Sequence, residues 1–283
     1  MASGDASVTQ RTHDVRFHPE VAVDVGHPRG SVVHVVTLPE ARGFDPGVSH
    51  PAALCLLTGF ELRFGGRSVS LPMSSQRVLA FLSVQERPVL RAFAAGSLWL
   101  DTPEERANAN LRSALWRLNR LGPRLIDGSN GNLRLTSGLR VDFREISSLA
   151  RSVLDHRARV EALSFAEVSL SGNLLPQWYD DWVVVERERF RQLRLHALES
   201  LSEQLTAVGR LGQAVEAALA AVASEPLRES AHRVLIKAYL AEGNRGEALL
   251  HYRAFRDLLS RELGVEPSPR MAELIRDLQP QFA

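Results

Sequence analysis

One cysteine, one lysine and no long apolar run distinguish this 283-residue chain first by what it lacks. Cys55 alone cannot form an internal disulfide, which fits a reducing compartment. No stretch approaches the ~18–20 consecutive apolar residues that a membrane-crossing helix needs. The opening residues MASGDASVTQRTHD lack the apolar centre of a secretory signal. A cytoplasmic, nucleoid-associated location with no membrane partner is therefore expected. A formal net charge of +1 excludes a chain that grips polyanions by bulk charge. There is no phosphate-binding glycine loop, no dinucleotide fingerprint and no Ser/His/Asp constellation. The expectation is a protein that is not an enzyme and needs no cofactor or metal. Lys237 is the only lysine, so nearly all positive charge is guanidinium. Arginine can fork onto phosphate or a guanine edge, although a GC-rich genome produces the same bias.

What is present suggests two domains, since a domain typically takes ~100–200 residues. The 45% hydrophobic content is ordinary for a globular chain. The charge, however, is uneven. Residues 61–144 hold thirteen arginines against seven acids, an excess of six positives inside a nearly neutral chain.

Residues 1–50 read as a flexible leader rich in Val, His, Pro and Gly, with a short strand expected at 31–38. Five of the nine histidines lie there, at spacings too irregular for a metal site. From Ala52 the pattern sharpens. Leu54–Leu57, Glu61–Phe64 and Ser68–Leu71 are strand-like runs broken by Thr58-Gly59 and Gly65-Gly66, which predicts a small antiparallel sheet. A helix capped by Ser74 or Ser75 follows, with Val78, Leu79, Phe81, Leu82 and Val84 inward. Pro88 is expected to open a second helix with Val89, Phe93, Ala94 and Leu98 inward.

The stretch TPEERANANLRSALWRLNRL, residues 102–121, carries the strongest signal. Thr102 is expected to cap a helix, with Pro103 at its first position and Glu105 completing a capping box. Leu111, Leu115 and Leu118 recur at helical spacing and define a buried edge. At 100° per residue, Arg106, Ala109, Ser113, Trp116, Arg117 and Arg120 fall on the opposite side, with Asn110 at its margin. That face carries arginines, no acid and an outward Trp. It suits a helix lying in a DNA major groove, where Trp116 offers apolar contact to thymine methyls. Arg112, at the edge, suits a phosphate. Leu125-Ile126 and Leu133–Leu135 then flank a Gly/Asn tip and form a hairpin, and Val141 returns to the sheet. Sheet, three helices and hairpin are the order of a winged helix-turn-helix, whose wing candidates are Arg124, Asn130, Asn132 and Arg134.

Asp142-Phe-Arg-Glu145 reads as another N-cap box, after which the chain is helical almost to its end. Ala197, Leu201, Leu205, Gly209 and Ala214 reappear 34 residues later as Ala231, Leu235, Tyr239, Gly243 and Ala248. That period is the tetratricopeptide signature, in which each helix pair buries its apolar face on the next. Glu266–Pro269 breaks the helix, and Arg270–Leu278 is expected to form a last one. Trp178, Tyr179 and Trp182 with Asp180 and Asp181 invite an acid–base reading, but adjacent acids point apart on a helix and lack a nucleophile. Aromatic packing at a domain junction is the expectation.

Four strings resemble one family, the Streptomyces antibiotic regulatory proteins: residues 87–118, LRLTSGLRVDFRE (133–145), LLPQWYDDWVVVERERF (174–190) and RELGVEPSP (261–269). The first runs RPVLRAFAAGSLWLDTPEERANANLRSALWRL. The resemblance covers about residues 54–280 and is to the short members, in which no ATPase domain follows the repeats. It departs at Leu100 (commonly Pro), Leu90 (commonly Ser) and Gln177 (commonly Gly). It implies an α+β winged helix-turn-helix domain at 51–144 followed by an all-α, tetratricopeptide-like bacterial transcriptional activator domain at 145–283. It also implies base reading by Asn110, Ser113, Trp116, Arg117 and Arg120, and a tandem pair of protomers on direct repeats near the −35 element. Contact with RNA polymerase holoenzyme and its sigma subunit follows too, for which Trp99, Leu100 and Asp101 before the third helix are the candidates. The expectation is a transcription activator whose targets are secondary-metabolite genes. The competing expectations are a helical-repeat adaptor whose winged helix binds protein, and a small-molecule sensor using a repeat groove.

Overall fold

Strand β1 (Ala52–Cys55) pairs antiparallel with β2 (Glu61–Phe64), which pairs with β3 (Arg67–Val69). Gly65 and Gly66 form the two-residue turn between β2 and β3 with φ of +51° and +80°. Positive φ at both positions matches strand twist and suits glycine. The computed structural model describes residues 52–122, 124–160, 163 and 172–276. The leader at 1–50, the strand expected at 31–38 and the end of the helix expected at 270–278 lie outside the described residues.

Helix α1 (Met73–Val84) buries Val78, Leu79, Phe81, Leu82 and Val84. Pro72, rather than Ser74 or Ser75, takes the cap position, and its carbonyl accepts from the Ser75 and Gln76 amides. Helix α2 corrects the sequence reading more substantially. Val89–Leu90 forms a strand, β4, and α2 spans Arg91–Leu98. Delaying the helix start turns its faces: Ala94, Ala95 and Leu98 are buried, whereas Phe93 is 57% exposed. The Phe93 ring still meets Phe81, with ring centroids 6.1 Å apart.

Helix α3 (Glu104–Asn119) buries Leu111, Leu115 and Leu118, with Ala107 and Ala114 beside them. The expected capping box does not form. Pro103, at φ −51° and ψ 143°, occupies the cap position, and no side chain bonds to the first-turn amides. Glu104 and Glu105 instead place negative charge at the positive end of the helix dipole. Strands β5 (Ile126–Ser129) and β6 (Asn132–Leu135) form the hairpin, turning through Asn130 (φ +49°) and Gly131 (φ +74°). They join β4 in a three-stranded sheet of order β4–β6–β5. Strand β7 (Leu139–Val141) then lies parallel to β1 and completes a four-stranded sheet, β3–β2–β1–β7.

Helix α4 (Asp142–Leu154) follows directly, with Val141 rather than Asp142 in the cap position. The Asp142 carboxylate accepts from the backbone amides of Leu56 (2.9 Å), Leu57 (3.1 Å) and Phe143 (2.6 Å). It terminates β1 from 86 residues away, and burial raises its pKa despite those bonds. Glu145 pairs with Arg140 instead of closing a box. Arg144 reaches back to α1 and donates to the carbonyls of Leu82 (2.8 Å), Ser83 (2.8 Å) and Gln85 (3.0 Å), closing the exposed end of that helix. Arg144→Ala is expected to lower stability by about 2 kcal/mol, since it removes three charge-assisted bonds to carbonyls at a helix end. Urea unfolding checks this, and an unchanged midpoint would remove Arg144 from the account.

Among the described residues, five helices run from Asp181 onward: α5 (Asp181–Ala207), α6 (Leu211–Ser224), α7 (Glu229–Ala241), α8 (Arg245–Leu263) and α9 (Pro269–Leu274). The 34-residue repeat maps onto α5–α6 and α7–α8. Ala197, Leu201, Leu205 and Ala214 are fully buried, as are Ala231, Leu235 and Ala248 in the second copy. Gly209 and Gly243 hold φ of +78° and +84° at the two helix ends, where a Cβ would be strained.

Between α7 and α8 lies a buried histidine pair. His232 Nε2 sits 2.8 Å from the Pro226 carbonyl, which can only accept, so that nitrogen carries the proton. His232 Nδ1 must then accept from His251 Nε2 at 2.9 Å. Phe255 stacks on His232 at 3.8 Å, and Tyr239 meets His251 edge-on. Burial lowers both imidazoles to about 4. An unfolded histidine titrates near 6.5, so the unfolded chain gains protons first as pH falls. Stability is therefore full above about pH 6.5 and lost between there and about pH 4, by about 3 kcal/mol for His232 alone. Urea unfolding across that range should show the loss, and His251→Leu should make the acid slope shallower.

Segment 172–190 belongs to the core of the first half. Leu174, Leu175, Trp178, Val183 and Phe190 pack in the same cluster as β1, α1 and α3. The Asn173 and Leu175 amides donate to the carbonyls of Leu57 and Leu56, each at 2.8 Å. Trp178 stacks on Phe60 at 6.0 Å, Trp182 meets Phe81 edge-on at 5.4 Å, and Phe143 meets Phe190 at 5.1 Å. The Arg187 guanidinium holds the turn by donating to the carbonyls of Leu174, Leu175 and Trp178. Aromatic packing at the junction is thus observed, and Asp180 is spent on an ion pair with Arg77.

Candidate nucleic-acid interface

Because the Leu111/Leu115/Leu118 edge of α3 is buried against α1 and α2, the opposite face points away from the core. Arg106, Arg112, Ser113, Arg117 and Arg120 are exposed, Ala109 and Asn110 are half-buried, and Trp116 is 58% exposed. Among the described residues no carboxylate lies within ion-pairing distance of Arg106, Arg112, Arg117 or Arg120. Four uncompensated guanidinium groups therefore share one helix surface. Arg112, Ser113, Trp116 and Arg117 surround a shallow depression of about 370 Å³. Arg117 Nη1 reaches Ser74 Oγ across the gap to α1 at 3.4 Å. The Arg120 guanidinium lies over the Trp116 ring.

The hairpin brings Arg124, Asn130, Asn132 and Arg134 together at its surface, but with a restraint that sequence alone does not show. Asp127 sits between the two arginines, 3.2 Å from Arg124 and 3.6 Å from Arg134. Its single negative charge offsets part of their field. Asn132 Nδ2 donates to the Asn130 carbonyl at 3.3 Å, which braces the tip. Asp127→Asn is expected to raise affinity for duplex DNA several-fold at low salt, by leaving both guanidinium groups uncompensated. A fluorescence anisotropy titration at about 50 mM salt reads this, and weaker binding would contradict it.

Two residues that sequence reasoning passed over stand beside the basic surface. Ser74, at the start of α1, is the one that meets Arg117. Arg91 is exposed at the start of α2, its amide bonded to the Gly131 carbonyl at 2.9 Å. Its guanidinium lies so close to Gly128 that a Cβ there would sit 2.9 Å away. The charge of Arg91 was visible in the sequence, but its position beside the hairpin depends on β4 pairing with β6.

The loop Trp99–Asp101 lies on the other side of α3's start. Trp99 is half-buried, Leu100 is 68% exposed and Asp101 is exposed. With Arg77, Tyr179, Asp180 and Asp181 it lines a groove of about 330 Å³, and Tyr179 is 82% exposed at its rim. Cys55 offers no chemistry nearby, as burial and the adjacent Asp142 push its thiol up to about 11. Among the described residues no helix is long and apolar enough to cross a membrane.

The description "Bacterial transcriptional activator domain" matches residues 141–279. Regulatory protein AfsR of Streptomyces griseus is 29% identical over 220 residues, covering 74% of this chain and 23% of that protein. Transcriptional regulatory protein MoaR1 of Mycobacterium tuberculosis is 26% identical over 245 residues, covering 80% of this chain and 79% of that one. The chain thus spans about a quarter of the AfsR length and most of the MoaR1 length. Among solved structures, Mycobacterium tuberculosis EmbR in complex with a low affinity phosphopeptide shares the fold, with a TM-score of 0.58 and 22% identity over 81% of this chain and 66% of that one.

Proposed function

The chain is a transcriptional regulator of the Streptomyces antibiotic regulatory protein family, and from that premise we propose that it activates transcription by seating α3 in a DNA major groove. The observation that carries this reading is the α3 surface: four exposed arginines with no carboxylate partner among the described residues, flanking an exposed Trp. An ordinary solvated helix mixes its signs and buries its Trp. In this reading the four-stranded sheet, α1–α3 and the β5–β6 hairpin are a winged helix-turn-helix, with α3 as recognition helix and the hairpin as wing. Arg106, Asn110, Ser113, Trp116, Arg117 and Arg120 face bases and nearby phosphates. Arg124, Asn130, Asn132 and Arg134 lie along the backbone beside the groove. The helical repeats hold two protomers side by side on a direct repeat near the −35 element. Trp99, Leu100 and Asp101 face RNA polymerase holoenzyme and its sigma subunit, and the regulated genes are those of secondary metabolism.

The family matched and the relatives named are transcriptional regulators rather than enzymes, and the surface supports the same class. Arg117 provides the test. A bidentate arginine on guanine contributes about 1–3 kcal/mol of discrimination. Arg117→Ala is expected to abolish the preference for a cognate direct repeat over random duplex, while circular dichroism and the unfolding midpoint stay unchanged. Unaltered affinity for that repeat in a gel-shift titration would overturn the assignment.

A further inference from the structure

Two side chains on the exposed face of α3 already touch each other. The Arg120 guanidinium carbon lies 4.7 Å from the centroid of the Trp116 ring. Stacking over an aromatic face is favoured by the ring quadrupole. The guanidinium N–H groups lie in the guanidinium plane, so a stacked arginine keeps its donor edge free. The indole in turn leaves much of its surface open to a partner, since the residue is 58% exposed. The pair therefore presents a planar donor fork and an apolar plate side by side. Arg117 is separate from it, directed toward Ser74 on α1.

We propose that Trp116 and Arg120 act as one unit that reads a thymine and a guanine in adjacent base pairs, the indole against the thymine methyl and the guanidinium on the guanine O6/N7 edge. This rests on the reading of α3 as the helix in the groove. Three observations carry the step beyond it. The 4.7 Å between the two groups is less than two base-pair steps of about 3.4 Å each, so groups in such contact reach no further than neighbouring base pairs. Thymine alone presents a methyl group in the major groove, and guanine presents the paired acceptors that a guanidinium fork matches. The contact with Trp116 also restricts Arg120 before DNA arrives, so less side-chain freedom is lost on binding. No carboxylate among the described residues competes for the Arg120 donors.

The test uses the full chain and a duplex selected from a random library at physiological salt. Each thymine of the selected site is replaced in turn by deoxyuridine, which removes only the methyl, and each guanine by 7-deazaguanine, which removes only N7. The expected result is one deoxyuridine position that weakens binding about three- to fivefold, beside a 7-deazaguanine position that weakens it about tenfold. Trp116→Ala should lose the response to that deoxyuridine and keep the responses elsewhere in the site. Trp116→Phe, which retains an apolar ring, should keep it. Arg120→Ala should lose the response to the neighbouring 7-deazaguanine. Sensitive positions that are not adjacent, or a deoxyuridine response unchanged in Trp116→Ala, would overturn the proposal while leaving DNA binding by α3 in place. A chain that selects no duplex at all would overturn the α3 reading itself.

Discussion

Raising salt from about 50 to 200 mM is expected to weaken binding of this chain to duplex DNA by ~10³-fold or more. The size follows from the number of guanidinium groups available to phosphates. Arg106 and Arg112 flank the base-facing residues of α3, Arg124 and Arg134 stand on the hairpin, and Arg91 lies beside it, all exposed. A half-dozen phosphate contacts per site give a log–log slope of about −5, because each neutralised phosphate releases most of one condensed counterion. The net charge of +1 contributes little, since the effect depends on local contacts. Arg112→Ala, at the edge of the face, should reduce the slope by about 1 while leaving sequence preference intact. A salt-independent affinity for duplex DNA would mean that this surface serves a protein partner, which is what a helical-repeat adaptor would show.

Gly172→Ala is expected to destabilise the fold by about 4 kcal/mol. Gly172 holds φ +106°, a region that a Cβ disfavours by about 1–3 kcal/mol. It also lies against the end of β1, where an added Cβ would sit 2.7 Å from Leu57 Cβ and 2.9 Å from the Leu57 carbonyl oxygen. That oxygen cannot yield freely, because it accepts from the Asn173 amide at 2.8 Å. Overpacking of this kind adds about 1–3 kcal/mol. The Gly172 carbonyl also accepts from Arg194 at 2.5 Å, so displacing the backbone disturbs a guanidinium that burial already leaves with a lowered pKa. The segment joins the end of β1 to α5, so its displacement should loosen the packing of α5 on the core of the first half. Denaturant unfolding gives the stability change. An unaltered midpoint would show that the segment can shift without cost. Binding to a direct repeat is the second readout, expected to fall even where each half remains folded.

The features legible in sequence are those with a local period. The 3.6-residue spacing of Leu111, Leu115 and Leu118 oriented α3 correctly, and with it the exposure of Trp116 and the arginines. The 34-residue repeat located both helix pairs and their turn glycines, because equivalent positions bury the same small residues. Asn130-Gly131 identified the hairpin, since few dipeptides accept positive φ twice. Cap positions were less legible. Thr102 and Asp142 are both good cap residues, yet Pro103 and Val141 occupy those places. A proline set in the extended region decided the first, and a more demanding use decided the second.

That use shows where sequence reading stops. The Asp142 carboxylate serves two amides at the end of β1, a partner 86 residues distant that no local pattern announces. A helix beginning at Pro88 predicts an inward Phe93; pairing of Val89 and Leu90 with β6 delays the helix start, and the ring stands exposed. The same pairing set Arg91 beside the hairpin, and folding of the hairpin set Asp127 between Arg124 and Arg134. The sequence by itself determined which helix carries the basic face and that the second half repeats, because both depend on side chains a few residues apart along a regular element. Only the tertiary structure decided how strongly each charge is offset and how the two halves are joined, because the first depends on how the hairpin closes around Asp127 and the second on distant pairs, such as Arg77 with Asp180, that folding alone brings together.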